Sequence, residues 1–169
     1  LRGANLSDAN LRNANLKDAD LGNAKLRNTN LEDAKLGGAN LSNADLSNTN
    51  LHDAFLYNTK LSNAKLISAS LESVKLSSAD LSDADFRNAN IRYADFSDAK
   101  LNDADLRNTE LFGTRFNNAD LSGTKFKRAD LGYATDFTGA KNLTVEQVKS
   151  AKNWKEAKYD KEFRAKLGL

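Results

Sequence analysis

The sequence repeats every five residues, and this period decides what the chain can fold into. From Leu1 to Leu131 every fifth residue is Leu, Phe or Ile, and we call these the central positions. Two residues before each next central residue lies the small position, which is Ala, Thr or once Val from Ala4 to Ala134. A regular repeat of this kind determines the overall fold more strongly than any local secondary-structure signal.

A five-residue period fits neither a straight helix nor a straight strand. At about 100° per residue, successive central residues of an α-helix lie about 140° apart and form no apolar face. In a β-strand, an odd period places them on alternate faces. The chain must therefore turn once per repeat, and a chain that turns regularly around an apolar interior must coil.

A third regular position supports this turn. The residue two places after each central residue, the turn position, is usually Asn, Asp or Gly, beginning with Gly3, Asp8 and Asn13. These residues accept positive φ or close turns through their own side chains. Such coils bury their interior only when they stack, as in other solenoids. The chain has no Pro, which would remove a backbone donor between stacked coils.

The repeated units, including ANLSD, ANLRN, ADLSD, ADFRN and ADFSD, resemble the pentapeptide-repeat family, whose motif is A(D/N)LXX. The resemblance covers about four-fifths of the chain and implies an all-β solenoid. Its form would be a right-handed quadrilateral β-helix of about seven four-sided coils, with one repeat on each side and a small C-terminal α-helical cap. The four sides come from the resemblance, because the period alone allows other coils. We assign residues 1–143 to the β-helix and 144–169 to the cap. The repeat is least regular at residues 67–78. We interpret this segment as ordinary sequence drift within one array rather than as a junction of two arrays.

The late repeats depart from the pattern. Phe appears at central positions, and coils of four repeats would stack Phe96 on Phe116, with Phe86 and Phe126 on the opposite side. The register breaks after Ala134, because the next large apolar residue comes one position late.

The C-terminal residues predict two short helices. Thr144 and Gln147 have the spacing of a capping box, which begins a helix. A second helix is expected after Asp160, with Gly168 as its C-cap. The side chains expected to face the core or to seal the last coil are Val145, Val148, Trp154, Tyr159, Phe163 and Leu167.

No pattern of catalytic or metal-binding residues is present. The chain has no Cys, and its one histidine, His52, is expected on the outer surface beside Asp53 without a nucleophile. Asp83 and Asp103 recur on one face, but scattered carboxylates on a convex surface do not predict a divalent cation site. We therefore expect a protein that is not an enzyme and uses no cofactor or metal.

Two outward rows of side chains are candidate contact sites. Arg87, Arg107 and Lys127 recur once every four repeats as a basic stripe, which Asp85 and Asp105 are expected to neutralise. A second row, Tyr93, Phe112 and Tyr133, is expected to face solvent and to form a protein-contact patch. The alternative for these aromatic residues is a structural role, because rings that stack on a β face are stabilising.

Charge and hydropathy limit the partners. Residues 1–140 carry 17 basic and 19 acidic side chains, and residues 141–169 carry 8 and 4. This balance disfavours direct nucleic-acid binding. No apolar run reaches the roughly 20 residues of a membrane span. No signal peptide is visible, which favours the cytoplasm, although the chain contains no Met and its natural start could lie upstream.

The first coil is predicted to be uncapped, so that Leu1 and Leu6 would be exposed at an unpaired edge. A homodimer through this coil would cover them, as would residues upstream. The function expected overall is a non-catalytic scaffold that binds an unknown protein. The alternative, which the family resemblance implies, is a DNA-mimic regulator of DNA gyrase similar to quinolone-resistance pentapeptide proteins. Those proteins resemble an acidic rod, whereas Lys and Arg are interleaved among the acidic residues here.

Overall fold

The structure, a computed structural model that describes residues 1–169, is a right-handed quadrilateral β-helix with a helical C-terminal end. The residue before each central residue pairs in parallel with the residue 20 positions later, from Asn5 with Lys25 through Asp105 with Lys125. These are single-residue bridges, and no longer strand forms. Because each bridge joins positions four repeats apart, each coil contains four five-residue units, as expected.

Each five-residue unit closes through a tight turn. The N–H of the small residue donates to the carbonyl of the central residue three positions earlier, as in Ala4 to Leu1 at 2.9 Å. The third residue of this turn, at the turn position, has positive φ, for example 62° at Asp8 and 60° at Asn13. The residue types at the turn position follow from this backbone, because Asn, Asp and Gly tolerate the left-handed region best.

Backbone hydrogen bonds hold the coils together. The N–H of Leu6 donates to the carbonyl of Lys25 at 2.8 Å, and the same bond repeats along the stack. From Leu21 onward the central residues are essentially fully buried. Where Thr replaces Ala at a small position, the hydroxyl is satisfied inside the core. The hydroxyl of Thr114, for instance, donates to the carbonyl of Ile91 at 2.7 Å.

The register changes by one residue between Leu131 and Phe137. Thr135, not Ala134, occupies the small position of this unit: Thr135 is buried and its hydroxyl donates to the carbonyl of Leu111 at 2.7 Å. Ala134 is exposed and has φ of 69°. The expectation that Ala134 closes the inward row is therefore wrong, because the extra residue is accommodated on the outside of the turn.

An aromatic stack runs through the C-terminal half of the core. Phe96 and Phe116 lie 5.3 Å apart between ring centroids with 14° between their planes, which confirms the predicted stacking. The stack continues to Phe137 and then to Tyr159, at 5.1 Å and 5.5 Å. Phe126 contacts the side of this stack edge-on, 6.1 Å from Phe116. Parallel rings one coil apart therefore form a continuous aromatic column in the core.

Two α-helices and a 3-10 turn form the C-terminal end: α1 (Val145–Lys149), the 3-10 turn (Trp154–Glu156) and α2 (Lys161–Leu167). The predicted capping box of Thr144 and Gln147 is present. Gly168 ends α2 with φ of 81°, also as predicted. Backbone pairing continues past residue 143, our expected boundary, because Lys152 and Lys158 bridge back to Asp130 and Asp136. No helix is long and apolar enough to span a bilayer.

Candidate functional site

Three aromatic side chains lie on one face near the C-terminal end of the stack. The side chains of Tyr93 and Tyr133 are exposed, at 45% and 71% of their surface. Phe112 is only partly exposed, which differs from the expectation that all three face solvent. The cause is local packing: Phe112 meets Tyr93 edge-on at 5.4 Å and lies against Gly132, where a Cβ would come within 3.3 Å of its ring.

Arg92 completes this aromatic face. Its guanidinium carbon lies 5.8 Å from the ring centroids of both Tyr93 and Phe112, within the range of cation–π attraction. The Nε atom of Arg92 is buried and makes no hydrogen bond. Arg92 therefore contacts both rings at once. It was not among the residues predicted from the sequence.

A groove of about 320 Å³ opens beside these rings, between the stack and the 3-10 turn. Its aromatic wall is Phe112 and Tyr133. Asp130 in the groove accepts hydrogen bonds from the Gly132 N–H and from Asn153 Nδ2, the latter at 2.7 Å. The charged side chains in the lining are Arg92, Glu110, Asp130 and Glu156, so acidic groups outnumber basic ones.

Tyr93 has a structural role that its exposure conceals. Its φ is 58°, a region that costs a non-glycine residue on the order of 1–2 kcal/mol. Its ring covers Gly113 in the next coil, where a Cβ would lie 2.6 Å from the ring. Tyr57, 41% exposed, covers Gly37 in the preceding coil in the same way. The sequence signal for this pairing is that each Tyr lies four repeats from its Gly.

Tyr133 covers no glycine. It is also the most exposed large apolar side chain of the protein. Among the three aromatic residues, it is the one whose exposure has no structural explanation.

The basic stripe is largely neutralised by its own neighbours. Arg87 pairs with Asp85 at 2.7 Å, and Arg107 pairs with Asp105. Burial pushes the pKa of Asp105 upward, but hydrogen bonds from the Arg107 side chain and backbone, with the Arg107 charge, lower it below its ordinary value. Lys127 forms no ion pair, so only the C-terminal end of the stripe keeps unpaired charge.

The remaining surface carries no arrangement that resembles a catalytic site. His52 Nε2 lies 3.1 Å from Asp53 Oδ2 on the outer surface, and both side chains are partly exposed. No group of three or more His, Asp or Glu side chains is placed to hold a metal ion. Asp85 and Asp105, which were expected to neutralise the basic stripe, do pair with Arg87 and Arg107.

Comparison with known proteins gives matches along the repeat body. The model of the pentapeptide repeat region matches residues 59–136, and the model of eight pentapeptide copies matches residues 1–33 and 24–63. No curated protein matches the chain. HetL, involved in heterocyst differentiation regulation in the cyanobacterium Nostoc sp. strain PCC 7120, is 30% identical; the match covers 91% of this chain and 73% of HetL, with a TM-score of 0.45.

Two further solved structures are similar. Rfr23 from the cyanobacterium Cyanothece 51142 is 25% identical over 72% of this chain and 64% of its own, with a TM-score of 0.41. QnrB1, a plasmid-mediated fluoroquinolone resistance protein, is 21% identical over 98% of this chain and 94% of its own, with a TM-score of 0.39.

Proposed function

Since this chain belongs to the pentapeptide-repeat family, we propose that it is a non-catalytic scaffold that binds another protein through the groove beside Tyr133. The observation that carries the proposal is the ring of Tyr133, 71% exposed at the mouth of a groove of about 320 Å³. Concave sites with aromatic walls and a few polar groups are the usual places for specific contacts. A solenoid leaves many of its outer side chains free for this use, because mainly the inner and turn positions hold the fold.

The charges in the groove indicate the kind of segment that fits. Glu110 and Glu156 form no salt bridge with any side chain of the protein, and Asp130 is held by hydrogen bonds only. Arg92 is the one basic side chain in the lining. A Lys or Arg side chain of a partner segment could form ion pairs with these carboxylates and a cation–π contact with the Tyr133 ring.

The test compares capture of partners from a lysate of the source cell by three forms of the protein. The parent should capture a specific protein, and Tyr133→Ser should lose it. Tyr57→Ser is the matched control, because Tyr57 is also an exposed turn-side tyrosine but lies far from the groove; it should capture the partner normally. Capture that is unaffected by Tyr133→Ser, or lost equally in Tyr57→Ser, would refute the groove as the contact site.

A homodimer through the first coil is a separate proposal. Leu1 is 61% exposed, and Leu6 is only partly buried, whereas Leu21 in the second coil is 0% exposed. A second copy stacked there would bury these side chains and pair the edge. Light scattering that gives a monomer mass at high protein concentration would refute this dimer.

The alternative of a DNA-mimic regulator of gyrase has less support. Its charge would have to resemble that of a duplex, and here acidic side chains on the outer surface are repeatedly matched by Arg or Lys. Examples are the ion pairs of Arg115 with Asp95 and of Arg12 with Glu32. Gyrase supercoiling in the presence of the protein should therefore proceed without inhibition.

A further inference from the structure

Helix α1 replaces one side of the last coil and interrupts the hydrogen bonds between coils. From Leu6 to Phe137, every central residue donates its N–H to a carbonyl of the next coil, with one exception, Phe126. From Gly3 to Arg128, every turn residue does the same, again with one exception, Gly123. These two N–H groups therefore lie at the same corner of the coil and have no acceptor within the protein.

The residue that fills this corner satisfies only the carbonyl groups. Gln147 Nε2 donates to the carbonyls of Leu121 and Thr124 at 2.8 Å and 2.9 Å. Its Oε1 accepts from the Thr144 N–H at 2.7 Å. Gln147 thus leaves the donors of the corner without a partner. Phe126 is a buried residue, and a buried backbone donor without an acceptor is rare in proteins, because it costs about as much as a missing hydrogen bond.

Both unpaired donors belong to residues that line the largest groove of the protein, of about 470 Å³. Lys125 and Lys127 line it too, and neither forms an ion pair. Glu146 is the only carboxylate in the lining. Arg107 also lines the groove but is paired with Asp105.

Two neighbouring charges bear on the electrostatics of this groove. Arg128 lines a smaller recess of about 150 Å³ together with Arg107 and Lys127, and adds positive charge. Asp103 lies against Gly123, but on the side of the preceding coil, whereas turn N–H groups point toward the following one. The side of the groove that the donors face is therefore basic.

We propose that this groove binds the phosphate group of a small molecule, held by the N–H groups of Gly123 and Phe126 and by the ammonium groups of Lys125 and Lys127. Backbone N–H groups without an acceptor that line a concavity can bind an anion. A phosphate group carries about −1.5 to −2 charges at neutral pH and several strong acceptor oxygens, which matches two neutral donors and two cations. The proposal rests on the unpaired donors and is independent of the aromatic groove, which lies on another side of the coil.

The experiment is a titration of the protein with inorganic phosphate, followed by the amide resonances in two-dimensional NMR at constant ionic strength set with chloride. The amides of Gly123 and Phe126 should show saturable shifts, because they donate directly to the ion. The double variant Lys125→Gln, Lys127→Gln should bind about a hundredfold more weakly, about tenfold for each ammonium group removed. Lys127→Gln alone should weaken binding about tenfold.

The matched control is Lys65→Gln. Lys65 occupies the position of Lys125 three coils earlier, where the next central N–H, that of Leu66, is already bonded to Asp85 at 2.7 Å. This variant should bind phosphate as the parent does. All variants should retain the parent's dispersed amide spectrum, since the lysines are exposed.

Three results would overturn the proposal. The first is a shift at Gly123 and Phe126 no larger with phosphate than with chloride. The second is binding that is unchanged in the double variant, or that Lys65→Gln weakens equally. The third is acetate that binds as tightly as phosphate, which would reassign the site to oxyanions in general.

Discussion

The ring of Phe116 lies parallel to the ring of Phe137, with 5.1 Å between centroids and 5° between planes. Equivalent residues of neighbouring coils are 20 positions apart up to the pair Glu110 and Asp130, yet these two residues are 21 positions apart. The extra residue is taken up at the surface, where Ala134 has φ of 69°. The core therefore stays in register through the insertion, and the aromatic stack connects the repeats to the C-terminal helices.

Replacing Phe137 with Ala should remove the centre of this stack. Both rings that contact it face to face, Phe116 and Tyr159, would border a cavity, and such substitutions cost about 3–5 kcal/mol in free energy of unfolding. Urea denaturation measures this loss. Phe137→Leu is the control, since Leu76 occupies the same side of an earlier coil, and it should cost clearly less. Equal losses for the two variants would show that the stack adds nothing beyond apolar volume.

Gly113→Ala should be more destabilising than Gly3→Ala. Both glycines have positive φ, 69° and 67°, so both variants incur the left-handed cost of about 1–2 kcal/mol. Only at Gly113 would the new Cβ also collide with the Tyr93 ring, at 2.6 Å, whereas nothing lies within 4 Å of it at Gly3. Thermal or urea unfolding should show the difference. Adding Tyr93→Ser should recover part of the stability of Gly113→Ala, and a purely additive double variant would argue against the contact.

Stability should fall in acid partly through Asp105. Its folded pKa is below the unfolded value of about 3.9, so at acidic pH the unfolded chain binds more protons at this site. The stabilisation is present above that value and is lost as the pH falls through the folded pKa. The difference in unfolding free energy between the parent and Asp105→Asn should therefore be larger at neutral pH than at about pH 3. A difference that does not depend on pH would contradict the ion pair with Arg107.

Gln147→Ala should destabilise the protein more than Thr144→Ala. The second change removes only the N-cap, worth about 1 kcal/mol. The first also removes the side-chain donor to the carbonyls of Leu121 and Thr124. The Leu121 carbonyl still accepts the Thr124 N–H at 3.1 Å, so the added cost is about 1–3 kcal/mol for the Thr124 carbonyl alone. Gln147→Glu separates the two effects, because it keeps the acceptor for the Thr144 N–H and loses the donors. Equal costs for Gln147→Ala and Thr144→Ala, by urea denaturation, would mean that solvent replaces those bonds fully.

The five-residue period predicted most of the fold. The inward position of the central residues and the positive φ of Asp8 and Asn13 follow from one turn per repeat. The stacking of Phe96 on Phe116 also requires the four-sided coil that the family resemblance implied. The capping box of Thr144 is a local signal that needs no tertiary information. The sequence did not predict that Thr135, rather than Ala134, occupies the small position of the six-residue unit. The extra residue of such a unit can be accommodated at any of its positions.

The proposed contact sites were only partly predictable from the sequence. The sequence placed Tyr93, Phe112 and Tyr133 on one face, but the groove beside them also needs Glu156 from the 3-10 turn. The unpaired N–H groups of Gly123 and Phe126 arise because a helix replaces one side of a coil. These unpaired donors depend on how helix α1 packs against the last coil. Neither the five-residue repeat nor the helix-capping signal contains that information.

The most direct test of the scaffold function is site-specific photo-cross-linking in the source cell. A photoreactive phenylalanine analogue replaces Tyr133 in one form of the protein and Tyr57 in another, since both side chains are exposed but only the first borders the groove. We predict a discrete covalent adduct with one protein at position 133 and none at position 57. Adducts of the same size and yield at both positions, or at neither, would contradict it.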